Sequence, residues 1–283
     1  MKGRLCVALV LIACGSSPQR PPGVDAPSGT IDAPGSGSNG QQGCGGLNNC
    51  YSVYAHSNDT LYVVDLMAKT LQTVGKFNAP SNDVITDLAV APDNTIYVVS
   101  NTAIYTASAT DGHVTKVGST SACGTKAVAL TTLPSGDIWT GDYSGALCKI
   151  DISTMPPTVG APVMMGSGMA LAGDLVAVGD GTVYGTAYKL NDTATQNSNI
   201  LVTIDLTTGA VTQKGSTSTP KLFGTSFAQG AVIGFTHDGT GHVVSIDPLT
   251  GAATPFATFK DPSTNQPISF AGAGVNSLVP VIQ

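Results

Sequence analysis

The chain contains no glutamate: all 18 of its acidic residues are aspartate. It has two arginines, Arg4 and Arg20, both near the start, and one tryptophan, Trp139. Charged residues make up 11% of the sequence, against roughly 25% in an ordinary globular domain. Each shortage excludes something. A chain this poor in Glu and Lys lacks the usual builders of exposed helix. With no run of Lys or Arg to follow a phosphate backbone, nucleic acid is not an expected partner. No apolar stretch reaches the ~20 residues that a membrane-spanning helix needs. No Gly-x-Ser-x-Gly occurs, so the nucleophile elbow of a serine hydrolase is missing. The four histidines, His56, His113, His237 and His242, show no His-x3-His spacing, and no cofactor is expected. A carboxylate pair for glycoside cleavage would have to be two aspartates, and none stand together as a pair in the sequence.

What is present points to strands and turns. Hydrophobic residues are 42% of 283, enough for a core, and Gly, Ser, Thr, Asn and Val fill most of the remaining space. The length suits one large all-β domain or two ordinary ones. At the start, Lys2 and Arg4 precede an apolar run over residues 5–13, too short to span a bilayer but the right size for the core of an export signal. The run ends in Leu11-Ile12-Ala13-Cys14, which resembles the lipobox of bacterial lipoproteins. That resemblance implies cleavage after residue 13 and a diacylglycerol on the Cys14 thiol, whose acyl chains contribute about 0.8 kcal/mol per buried methylene. Gly15 in the next position implies sorting to the outer membrane of a Gram-negative cell envelope. Residues 14–43 then read as a lipidated Cys followed by a Gly/Ser/Pro/Asp tether. Its 29 residues after the Cys would reach roughly 30 Å as a flexible coil. Loss of Lys2 and Arg4 takes the net charge from −6 to −8.

From residue 44 onward the chain repeats. Leu61-Tyr62-Val63-Val64-Asp65 leads through a turn into Leu71-Gln72-Thr73-Val74-Gly75, and the scheme recurs at Ile104, Leu147, Ile200 and Val243. The residues that close the first strand of each hairpin are Asp65, Ser108, Asp151, Asp205 and Asp247. Their spacing near 43 residues, with about four short strands per unit, is that of propeller blades. Ala91-Pro92-Asp93-Asn94-Thr95-Ile96-Tyr97-Val98 and Ile246-Asp247-Pro248-Leu249-Thr250-Gly251 resemble the repeats of NHL-, YVTN- and quinoprotein-type propellers. The resemblance implies an all-β propeller over residues 44–283. The first unit lacks an opening strand, and Ile268-Ser269-Phe270-Ala271-Gly272 is an opening strand with little after it. Joined, they make five blades and leave no free sheet edge, with six as the alternative if the longer fourth unit is divided.

Four cysteines remain after export, and an oxidising compartment favours the pairs Cys44–Cys50 and Cys123–Cys148. The closing aspartates read as turn-formers, their carboxylates accepting backbone N–H groups. Trp139 reads as core. Binding residues are sought where each blade's second strand ends: His56, Asn101, Asp142, Tyr188 and His237 would ring the channel mouth, with the longer loop over residues 189–199 on the same face. Propeller lactonases of the regucalcin type, sialidases and quinone-dependent dehydrogenases rely on Glu or Arg that this domain lacks. A lipid-anchored module that binds a protein or small ligand is therefore the expectation, with a metal-dependent hydrolase or lactonase as the alternative.

Overall fold

The computed structural model describes residues 51–121, 123–124, 126–192 and 199–280. The signal, Cys14, the tether, Cys44 and Cys50 lie outside them. The described residues form strands and turns without a helix.

The strands make five antiparallel sheets. Blade 1 holds β1 (Ser52–His56), β2 (Thr60–Asp65) and β3 (Thr70–Lys76), with β21 (Gly272–Gly274) paired to β1 on the inside. Blade 2 is β4 (Ile85–Val90), β5 (Ile96–Ser100), β6 (Ala103–Ala107) and β7 (Val114–Ser119). Blade 3 is β8 (Ala129–Thr132), β9 (Ile138–Gly141) and β10 (Ala146–Asp151), its outer edge split into β11 (Thr158–Val159) and β12 (Val163–Met164), both paired to β10. Blade 4 is β13 (Met169–Ala177), β14 (Val183–Lys189), β15 (Ile200–Ile204) and β16 (Val211–Ser216). Blade 5 is β17 (Leu222–Ala228), β18 (Ala231–Thr236), β19 (His242–Ile246) and β20 (Ala253–Thr258). The innermost strands β21, β4, β8, β13 and β17 touch in a closed cycle. This is a five-bladed β-propeller.

Burial grades outward as that geometry requires. Every residue of β8 and β13 is buried, while β3, β16 and β20 are largely exposed or half-buried. Apolar side chains from the facing sides of neighbouring blades fill the gaps between them, as with Phe227, Phe235, Phe270 and Val64 around blades 5 and 1. Trp139 packs in the cluster shared by blades 3 and 4. Blades approach closely enough to need glycine: a Cβ on Gly75 in β3 would lie 1.8 Å from the carbonyl oxygen of Asp111 in the next blade's turn. Cys123 and Cys148 are joined, tying the chain ahead of β8 to β10.

The closing aspartates do what their positions imply. Asp65 Oδ1 accepts N–H bonds from Met67 and Ala68, and Asp205 Oδ1 from Thr207 and Thr208. Asp151 and Asp247 act alike. The Thr207 hydroxyl, which also donates to Asp205 Oδ1, leads these bonds in holding the Asp205 carboxyl down at about 2.

Closure differs from the sequence reading in register. The inner strand of blade 1 is Gly272–Gly274, not residues 268–272, and pairs Gly272 with His56. Ile268 and Phe270 are instead buried between blades 5 and 1, with Phe270 N–H donating to Thr236 and Ala271 N–H to His56. A large side chain could not take the inner place, where only glycine fits against Asp87 and His56. Beyond β21, Asn276 donates to the carbonyls of Ala91 and Pro92 and to Asn94 Oδ1, and Gly179 N–H donates to Val279. This segment thus joins blade 2 to blade 4 at the end of the axis opposite His56.

Candidate functional site

The inner strands all begin at one end of the axis, and each blade's second strand ends there. In three blades the inner strand carries a bulge at this end: between Ile85 and Asp87, between Leu171 and Leu175, and between Leu222 and Gly224. A bulge re-aims the side chain beside it. In blades 2 and 4 that side chain is an aspartate. Asp87 and Asp174 are both fully buried and near enough that each affects the other's titration.

Backbone amides hold the two carboxyl groups. Asp87 Oδ1 accepts the N–H of Leu88 at 2.8 Å and Oδ2 that of Leu130 at 2.6 Å. Asp174 Oδ1 accepts Leu175 N–H and Oδ2 accepts Thr225 N–H at 2.6 Å, with Ala273 N–H also donating to this carboxyl. Amides from blades 3, 5 and 1 thus converge on two aspartates from blades 2 and 4. Burial raises both carboxyls well above the ordinary range, and for Asp87 the neighbouring Asp174 charge adds to the rise. Two such groups in contact hold a proton between them at neutral pH.

His56, the last residue of β1, stands beside the pair and is fully buried. Its Nδ1 lies 2.7 Å from the carbonyl oxygen of Ser57. A carbonyl only accepts, so Nδ1 carries the hydrogen and Nε2 presents a lone pair. Nε2 is buried with no hydrogen-bond partner. A Cβ on Gly272 would sit 2.4 Å from both His56 Nε2 and Asp87 Oδ1. Those two atoms are therefore at most twice that distance apart, and both pack so closely on Gly272 that no Cβ fits there. Burial lowers the His56 pKa to about 4, the Ser57 contact opposing and nearby His237 adding to the fall. His56 is neutral at pH 7. Its ring meets Phe77 edge-on at 5.6 Å.

The other residues expected at the mouth fall into distinct roles. His237 follows β18, donates from Nδ1 to the Phe270 carbonyl at 2.8 Å, and stacks on Phe223 at 4.7 Å. Tyr188, in β14, donates its hydroxyl to the Tyr143 carbonyl at 3.0 Å. Burial raises the Tyr143 phenol, with Tyr188 and Asp87 contributing, which sets Tyr143 in the field of the axial pair. Asp142 is fully buried, and its Oδ1 accepts Ser144 N–H, Ser144 hydroxyl and Ala146 N–H, closing the turn from β9 to β10. Asn101 is half-buried at the start of the β5–β6 turn, where its carbonyl accepts Ala127 N–H. The structure thus draws His56 and His237 to the axis, seats Tyr188 against Tyr143, and gives Asp142 a turn to hold. Of the loop over 189–199, residues 193–198 lie outside the described ones.

The sequence reading saw no aspartate pair, and Asp87 with Asp174 corrects it. The signal was there: Asp87-Leu88-Ala89-Val90-Ala91 and Asp174-Leu175-Val176-Ala177-Val178 are the same opening motif two blades apart. Each puts a carboxyl into an otherwise apolar strand. Among the described residues no group of three His, Cys or Asp side chains is placed to hold a metal ion.

No known family profile matches the chain, and no curated protein sequence matches it. Solved structures resemble it in architecture. A virginiamycin B lyase from Staphylococcus aureus is 14% identical over 77% of this chain and 73% of its own, with a TM-score of 0.41. The glutaminyl cyclase of Myxococcus xanthus is 15% identical over 69% of this chain and 72% of its own, at 0.43. An auxiliary nutrient binding protein from Bacteroides thetaiotaomicron is 13% identical over 80% of this chain and 59% of its own, at 0.46.

Proposed function

We propose that this chain is a binding module of the bacterial cell envelope, held to the membrane by lipid on Cys14 and taking a small polar ligand at the channel mouth. One observation carries the binding reading: His56 Nε2 is buried without a hydrogen-bond partner and lies close to Asp87 Oδ1. A buried acceptor without a donor costs about 1–3 kcal/mol, so a partner that brings a donor recovers that energy. The aromatic side chains Phe77, Phe223, Tyr143 and Tyr188 near these groups offer apolar walls. The anchoring reading rests on Leu11-Ile12-Ala13-Cys14.

The enzymatic alternative has an observation in its favour too, since two coupled carboxyls that share a proton can act as acid and base. Against it, both carboxyl groups are fully buried and tied to main-chain amides. That arrangement suits holding a charge better than passing protons to a bulky substrate. A thermal-shift screen of the full chain against small metabolites and metal ions tests the reading. A binder should raise the transition, and the rise should shrink in His56→Gln. If every shift survives that substitution, the mouth is not the site.

A further inference from the structure

We infer that two clefts on the outer flank of blades 1 and 2 together hold a neutral saccharide of two or more units. They lie apart from the channel mouth.

In three blades the third strand is tied to the chain segment that enters the blade. Tyr62 in β2 donates its hydroxyl to Asp261 Oδ2 at 2.7 Å, and Tyr105 in β6 donates to Asp83 Oδ2. Cys148 in β10 makes the same tie through its disulfide to Cys123. Tyr62, Tyr105 and Cys148 follow one another at intervals of 43 residues, so the tie is a repeated feature of the fold. In blades 1 and 2 it floors an open cleft. The first has a volume of about 350 Å3 between Asn58, Asp59, Lys76, Asp261 and Gln266. The second has about 390 Å3 between Asn78, Asn82, Asp83, Thr102 and Lys116. Both volumes fall within the roughly 300–1,000 Å3 of small-molecule sites. Asn58, Lys76, Gln266, Asn82 and Lys116 are exposed, so a ligand reaches them from solvent.

The charged groups are largely spent on one another. Lys76 Nζ lies 3.3 Å from Asp59 Oδ2, and Asp59 Oδ1 accepts the hydroxyls of Ser57 and Thr60. Asp261 Oδ1 takes the N–H and hydroxyl groups of Ser263 and Thr264. Burial, with the carboxylate beside it, pushes each phenol up to about 12, so Tyr62 and Tyr105 stay donors at pH 7. A metal ion lacks a site, because no group of three His, Cys or Asp side chains is placed for one among the described residues. An anion meets at least as many carboxylates as ammonium groups in either cleft. What remains is side-chain amide. Asn58, Gln266 and Asn82 each carry donors and an acceptor on one head. Asn78 spends its Oδ1 on Val114 N–H at 2.6 Å and keeps its NH2. An alcohol likewise donates and accepts through one oxygen, so neighbouring hydroxyls match these amides. Pro267 and Pro80 give each cleft an apolar edge for the C–H face of a sugar ring.

The clefts act together because they flank one strand end. Lys76, the last residue of β3, lines the first, and Asn78 lines the second. Two residues apart, their Cα atoms lie within about 7 Å. A saccharide laid across the end of β3 reaches both, and its second contact is made at high effective concentration.

The test uses the ring resonances of the full-length chain carrying 13C-labelled tyrosine, eight residues in all, with Tyr62→Phe and Tyr105→Phe to assign the two cleft signals. The probes at pH 7 are glucose, galactose and N-acetylglucosamine, the linear trimer of each, sodium phosphate, choline chloride and calcium chloride. One trimer should shift Tyr62 and Tyr105 saturably and leave Tyr188 at the mouth in place. It should bind roughly tenfold or more tighter than its own monosaccharide. Asn58→Ala and Asn82→Ala alter exposed side chains, and each should weaken the trimer roughly fivefold, the loss of one neutral hydrogen bond. Should a variant misfold, the ratio of trimer to monosaccharide on the wild-type chain still decides. The inference is overturned if no sugar moves Tyr62 or Tyr105, if every trimer binds no tighter than its monosaccharide, or if only phosphate, choline or calcium shifts them. A sugar response confined to Tyr143 and Tyr188 also overturns it, while leaving the mouth standing as a binding site.

Discussion

The axis makes stability depend on pH in a way that separates its members. His56 has a folded pKa lowered to about 4 from an ordinary value near 6.5. Its neutral form is favoured on folding, so its contribution is full above pH 6.5 and is lost as pH falls towards 4. The size of that loss is about 3 kcal/mol, at 1.36 kcal/mol for each unit. The carboxyl pair works the other way. Both pKa values are raised on folding, so the folded chain holds a proton that the unfolded chain has released. That contribution is full below pH 3.8 and declines as pH rises, by about 1.4 kcal/mol per unit for each proton held. Between pH 4 and 6.5 the two slopes oppose and largely cancel. Above 6.5 only the carboxyl slope remains. His237 and Tyr143 also face this cluster; the Tyr143 phenol is raised above 10 and stays neutral throughout. Urea unfolding of the full chain from pH 4.5 to 8.5 should therefore show a plateau and then a fall above pH 6.5. In the double variant Asp87→Asn with Asp174→Asn the fall should vanish, and stability should instead rise from pH 4.5 to 6.5 as His56 acts alone. A wild-type profile that stays flat above 6.5, or that the double variant leaves unchanged, would refute the shared proton.

Two further outcomes test the anchoring and the closure. Cys14→Ser should move the protein from the membrane fraction to the soluble one or block its maturation, read by fractionation and by the N-terminal mass; soluble wild-type protein without lipid mass would end the lipoprotein proposal. Removing residues 266–283 should abolish the cooperative transition by circular dichroism, because it strips β21 from β1 and removes the fully buried Phe270. Loss of one such aromatic costs about 3–5 kcal/mol out of a total of roughly 5–15. A truncated chain that melts at the wild-type temperature would refute closure by the shared blade.

The architecture was legible because its signals are local. Each hairpin announces itself by a strand that closes on Asp, a Thr-Gly or Pro turn, and a partner strand ending in Val-Gly, and five copies at near-even spacing leave few alternatives. The Cys123–Cys148 bond followed once both residues were assigned to one blade. The axis was harder to read. Asp87 and Asp174 are 87 residues apart, and an aspartate in a strand ordinarily marks the solvent side. Only the bulges turn these two inward, and a bulge is a matter of register that composition does not reveal. The same limit misplaced the opening strand: residues 268–271 have the apolar alternation of a strand, yet Gly272 and Gly274 alone fit beside Asp87, His56 and Leu88. Asp142 and the paired Asp87 show the converse, since the residue chosen for its place at the mouth holds a turn while the one passed over lies on the axis.

The innermost edge of a propeller blade has amides with no further strand to pair with, and the axial aspartates answer part of that need by accepting from Leu130, Thr225 and Ala273. That double acceptance accounts for the choice of aspartate: each carboxyl takes one amide on each oxygen. Asparagine has the same shape and avoids the cost of burying a charge, but its NH2 group would face one of those N–H groups. His56 differs, because its Nε2 lone pair answers no amide. The variant Asp87→Asn with Asp174→Asn should therefore lose stability at pH 5 through the amides it leaves unpaired, and recover part of the difference as pH rises, by the carboxyl slope it no longer carries. His56→Gln should leave those amides paired and the fold stable by urea unfolding; a loss as large as that of the Asn pair would refute the distinction.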